Sequence, residues 1–178
     1  MDDFKGKVAV ITGAASGMGR EFATMAASLG MKLVLGDVQR KPLENAAEEL
    51  MDSGADVIFA AAGGSGIGVL QAAKDAGKFS VGVDSNQNSL QPGSVLTSML
   101  KRVDVAVQNA LTEAADDATF KPGITILGLA EDGVGYAVDE NNESLITAEM
   151  AAAAEDYKAK IIAGEITVHD YTTDSSCP

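Results

Sequence analysis

The feature that most constrains this chain is a repeated alternation of short apolar runs with segments of helical periodicity. Residues 8–12, 32–36, 56–62, 80–83, 94–100 and 124–129 are apolar and β-branched, as buried strands are. Between them, residues 17–29, 42–53, 66–76 and 103–117 place apolar side chains at three- and four-residue spacing, and a last helix is expected over 147–163. Gly30 stands where a helix C-cap is needed and Pro42 where a first turn tolerates it. The Glu131-Asp132-Gly133 turn leads residues 124–129 into a short return at 134–138. Strictly alternating strands and helices predict an α/β, doubly wound, mainly parallel sheet with helices on both faces.

One domain over residues 1–171 is expected at this length, with 172–178 as a tail. The net charge of -13 argues against nucleic acid and anionic membrane surfaces, which need a basic face. No apolar run approaches a membrane span and the acidic start is unlike a secretory signal, so a cytoplasmic monomer is expected. Cys177 and His169 are each the sole residue of their type, which excludes an intrachain disulfide and the usual zinc clusters, and no metal is assigned.

Chemistry is concentrated at one turn. Thr12-Gly13-Ala14-Ala15-Ser16-Gly17-Met18-Gly19 joins the first strand to the first helix, where glycines let backbone amides approach a pyrophosphate at the positive helix end. Asp37, ending the next strand, is placed to accept hydrogen bonds from a ribose. The same glycines also suit a tight strand–helix joint with no ligand.

The stretch from roughly Met1 to Gln39, in which Lys7 to Arg20 carries a TGxxxGxG pattern, resembles the opening of the short-chain dehydrogenase/reductase family, and about residues 1–45 are read as dehydrogenase-like. That resemblance implies that Gly13, Ser16, Gly17, Met18, Gly19 and Asp37 contact NAD. The family's Tyr-x-x-x-Lys does not follow: Tyr157 has Lys158 and Lys160 nearby but Ile161 at the fourth place, so no lysine lowers its pKa from the next turn. No catalytic residue is assigned, no cofactor is required, and at most weak NAD binding is expected.

From about residue 46 the chain resembles a different family. The segments Gly54-Ala55-Asp56 through Gly66, Val81-Gly82-Val83-Asp84-Ser85-Asn86-Gln87 and Val95 through Arg102 are similar to the C-terminal lobe of the basic-membrane-protein family of periplasmic substrate-binding proteins, and the likeness continues through Ile166. It implies a purine nucleoside cleft lined by Gly64, Asp84 and Lys101. Local alternatives are a turn acid for Asp84 and a solvated strand end for Lys101. Two families meeting near residues 40–54 suggest an engineered chimera whose main property is folding, with weak binding of a small nucleotide or nucleoside as the alternative. The second resemblance implies the flavodoxin-like strand order 2-1-3-4-5, which would place both glycine loops, 13–19 and 63–68, beside one crevice.

Overall fold

The computed structural model describes residues 5–15, 17–37, 39–52, 54–115 and 122–169. The chain divides into two compact units, Met1–Arg102 with Gly135–Leu145, and Val103–Val134 with Ile146–Pro178. The fold is α/β with a mostly parallel six-stranded sheet, as the alternation requires.

In the first unit the strands are β1 (Val8–Thr12), β2 (Lys32–Gly36), β3 (Val57–Ala60), β4 (Phe79–Gly82) and β5 (Val95–Lys101). They are linked by α1 (Gly17–Ser28), α2 (Arg40–Asp52) and α3 (Gly66–Asp75). Strand β6 (Val134–Tyr136) completes the sheet beside β5. Alternate strand residues point to opposite faces, so Leu33, Leu35, Ile58 and Ala60 are all buried in the core with Leu43, Leu50 and Val69 from the helices. Many of the remaining buried positions are alanine, which lets the helices sit close to the sheet.

The strand order is a correction. It runs β1-β2-β3-β4-β5-β6, so β2 lies between β1 and β3, and the expected 2-1-3-4-5 order with a central first strand does not form. Each right-handed crossover steps in the same direction, which sets α1, α2 and α3 side by side on one face instead of on alternate faces. Two contacts hold that layer. Arg20 of α1 pairs with Glu49 of α2, and α2 closes on α3 where Gly68 has no side chain: a Cβ there would lie 1.5 Å from Glu44 Oε1. With no reversal of direction the sheet has no switch point, and the crevice expected between β1 and β3 is occupied by β2.

Between β4 and β5 the register slips by one residue, Ser80 facing Val95 and Val81 facing Thr97, so Leu96 is an extra residue at a bulge. Ser80 is fully buried and its hydroxyl has no hydrogen-bond partner. Removing an unsatisfied buried hydroxyl relieves a desolvation penalty, so Ser80→Ala is expected to raise stability by about 1 kcal/mol, read as a higher urea midpoint at unchanged slope.

The second unit contains α4 (Val103–Ala114) and α5 (Ala148–Ile162). Thr147 caps α5, its hydroxyl oxygen accepting the Met150 amide at 3.1 Å. The strand expected at 124–129 is absent: Ile124 and Ile126 are 96% and 87% exposed and the segment joins no ladder among the described residues. Apolar alternation makes a strand only where a neighbour supplies the hydrogen bonds. The turn at 131–133 does form, with the Gly133 amide donating to the Gly128 carbonyl at 2.8 Å.

Candidate functional site

The glycine loop leaves β1 and enters α1 as expected. Gly13 and Gly17 have φ of +66° and +56°, conformations that side chains disfavour, which explains glycine at both ends of the turn. Ala14 and Ala15 between them are buried, Gly19 is half-buried, and Met18 turns out to solvent at 79% exposure. Ser16 lies outside the described residues.

Two amides of the loop are already engaged. Ala14 N–H donates to the Gly36 carbonyl at 3.3 Å and Ala15 N–H to Asp37 Oδ2 at 3.1 Å. The other Asp37 oxygen accepts the Gln39 amide at 2.9 Å. Asp37 therefore ties the end of β2 to the loop of β1 and places a carboxylate where a phosphate would have to enter, opposing the pull of the helix end. The expected NAD contacts Gly13, Gly17 and Asp37 are gathered at one strand edge, with Asp37 bonded to the loop through the Ala15 amide.

Across the sheet, β3, β4 and β5 are successive parallel neighbours, so the residues after them share the same carboxyl edge. Gly64 sits exposed in a 3-10 turn, Gly63–Ser65, after β3. Asp84 follows β4 and Lys101 ends β5. These two are joined twice: Lys101 Nζ lies 3.0 Å from Asp84 Oδ1, and Lys101 N–H donates to the Asp84 carbonyl at 2.8 Å. Asp84 has φ of +68°, an unusual backbone for a residue with a side chain and one enriched at binding sites. Both charged ends remain largely open to solvent, 43% and 59% exposed, so the pair can exchange partners with a ligand.

A model of the ABC transporter substrate-binding protein PnrA-like family matches residues 37–172. The chain belongs to this family. A short chain dehydrogenase model also matches, over residues 7–65, so the two overlap across 37–65. The chain is 37% identical over 140 residues to a CD4+ T-cell-stimulating antigen of Listeria monocytogenes, covering 68% of this chain and 38% of that protein. It is 41% identical over 101 residues to basic membrane protein D of Borreliella burgdorferi, covering 55% and 30%. The chain thus spans 38% and 30% of the length of these two relatives. Among solved structures, an ABC transporter solute-binding protein from Conexibacter woesei superposes with a TM-score of 0.62 over 94% of this chain and 58% of that one, at 17% identity, a likeness of fold.

Within the family-matched part lies a polar network that sequence reasoning missed. Ser98 Oγ accepts the Gln87 amide at 2.9 Å and donates to Asn88 Oδ1 at 2.8 Å, all three residues buried. Asn86 and Asn88 both donate to Asp139 Oδ2, at 2.6 and 3.1 Å, while the Asn141 amide reaches Asp139 Oδ1 at 2.8 Å. The Asn86 side chain and the Asn141 amide hold the Asp139 carboxyl below its usual range. Asn142, fully buried, fastens this cluster to β5 through the Leu96 carbonyl at 2.7 Å. A readable signal existed: Asn86-Gln87-Asn88 and Asp139-Glu140-Asn141-Asn142 have the composition of Asx turns, in which the side chain bonds the amide two residues on.

No group of three or more metal-ligating side chains occurs among the described residues, and no described helix is long and apolar enough to cross a membrane. Tyr157 is 60% exposed, and Lys160 pairs with Asp156 at 2.6 Å, an ion pair that raises the lysine's pKa.

Proposed function

We propose that the chain is a non-catalytic α/β scaffold, an engineered hybrid of a dehydrogenase-like opening with a substrate-binding-protein remainder, whose inherited ligand loops are closed on themselves. The observation that carries this is Asp37: its two oxygens accept the Ala15 and Gln39 amides, so a carboxylate is fastened to the glycine loop and repels any phosphate that approaches it. The overlapping family matches support the hybrid origin. The exposed Tyr157, with its neighbouring lysine committed to Asp156, supports the absence of turnover. A second reading, weak binding of a nucleoside by Asp84 and Lys101, is favoured by the positive φ of Asp84 and by the accessibility of the pair.

Calorimetric titration with NAD, ADP-ribose, adenosine and guanosine tests both. NAD is expected to bind no tighter than about 1 mM, about 4 kcal/mol, with NADH consumption over a ketone and aldehyde panel at the no-protein rate. A micromolar NAD affinity lost in Gly17→Val, or turnover lost in Tyr157→Phe, would overturn the closed scaffold. Adenosine or guanosine heat that disappears in Asp84→Ala would instead establish the second reading.

A further inference from the structure

We propose that β1 and α1 form a two-fold docking surface for a second copy of this chain, joining the two sheets edge to edge. Among the described residues, strand β1 stands at the end of the sheet. The Lys32 amide donates to the Lys7 carbonyl at 2.7 Å, so residues 7, 9 and 11 turn their backbone groups to β2. The alternation of a strand then points the backbone N–H and C=O of Val8, Val10 and Thr12 away from the sheet, a template for another strand.

Helix α1 carries a row of large apolar side chains facing solvent, Met18, Phe22, Met25 and Leu29, at 79%, 60%, 61% and 44% exposure. Its small residues Ala23, Ala26 and Ala27 face the core. At 100° per residue Arg20, which reaches α2, lies about 190° around the helix from the centre of the row. The row therefore looks away from α2, to the side where β1 ends the sheet. Open edge and apolar row make one continuous surface.

The spacing identifies the occupant. Steps of four, three and four residues are those of the apolar seam of a coiled coil, and they read the same from either end. Two copies of α1 packed antiparallel set Met18 on Leu29 and Phe22 on Met25, each contact made twice, as an isologous interface demands. Strand and helix agree on the axis. Centred on Val10, antiparallel β1 strands make hydrogen-bonded pairs of Val8, Val10 and Thr12, the residues whose backbone groups are open. The strand spans about 16 Å and the helix returns along it for about 18 Å, so the two elements are matched in length and one two-fold can relate both pairs. That register also brings Lys7 opposite the second copy's Gly13 and Lys5 opposite its Ala15, beside the carboxylate of Asp37, so basic and acidic ends meet.

Four side chains and a five-residue edge are small for an obligate interface and fit a reversible dimer. A net charge of -13 on each copy opposes association until salt screens it. The test is sedimentation velocity of the full chain from about 1 µM to about 1 mM, the range of weak to moderate interfaces, at low and high salt, with hydrogen exchange on the same samples. Expected are a monomer–dimer equilibrium that tightens with salt, and exchange at the Val8, Val10 and Thr12 amides that slows as protein concentration rises. Phe22→Glu, substituted at an exposed site and checked for an unchanged melting curve, is expected to weaken the dimer about 100-fold or more, because the buried charge occurs twice. Met25→Glu should do the same. A monomer throughout the range, or a dimer that survives both substitutions with fast exchange at those three amides, would overturn the proposal.

Discussion

Asn142→Ala is expected to destabilise the protein by about 3 kcal/mol, a large share of the total for a domain of this size. Asn142 is fully buried, and its side chain makes three hydrogen bonds: Nδ2 donates to the carbonyls of Leu96 at 2.7 Å and Ala137 at 2.9 Å, and Oδ1 accepts the Asp139 amide at 2.8 Å. Leu96 is the bulged residue of β5, so its carbonyl depends on a side chain where the ladder is interrupted. Truncation removes a bond from three backbone groups and leaves the Leu96 carbonyl and the Asp139 amide without this partner, and each buried group without a partner loses its hydration with nothing in return. The Thr97 hydroxyl still donates to the Ala137 carbonyl at 2.8 Å, which limits the loss. Urea denaturation should show the midpoint falling with the slope unchanged. A loss below about 1 kcal/mol would mean that water enters and replaces the amide, and that the network does not anchor residues 137–142 to β5.

Among the described residues, the five parallel strands and the five α-helices were legible because each carries its own local signal. Gly30 and Thr147 marked helix ends, and the buried alternation in Leu33, Leu35, Ile58 and Ala60 marked strands. Strand order has no such signal. It depends on which helices pack together, and one such contact, Glu44 lying over Gly68, joins residues that look unremarkable in the sequence. The resemblance to a lobe with a central first strand pointed to another order, and the packing of α1, α2 and α3 on one face overrode it. Residues 124–129 failed for a related reason: Ile124 and Ile126 have strand character but no neighbour to pair with. Site prediction divided in the same way. Asp84 and Lys101 meet because they follow adjacent parallel strands, a relation the strand–helix rhythm implies, whereas the bond from Ala15 to Asp37 depends on a side-chain rotamer that the sequence does not encode locally.

Ile58→Ala is expected to be the most damaging single truncation in the first unit, at about 4 kcal/mol. Ile58 is fully buried in β3, paired in register with Leu33 of β2 and Ser80 of β4. With a hydrogen-bonded strand on each side, the backbone cannot move inward to fill the space, so the cavity persists and its lining loses contacts outright. The neighbours cannot swing in either. Much of the surrounding cluster is alanine, including Ala14, Ala23, Ala27, Ala47, Ala60 and Ala73, and alanine has no rotamer that could reach into the void. The chain has no tryptophan and only five phenylalanines, so few large side chains share the burden and each carries more of the core than in an aromatic-rich domain. The expected readout is a loss of the cooperative melt at or near physiological temperature, while Ile58→Val, which removes one methylene, costs only about 1 kcal/mol. If Ile58→Ala costs less than about 1.5 kcal/mol, β3 has room to relax, and the placement of this strand between β2 and β4 in a close-packed core is wrong.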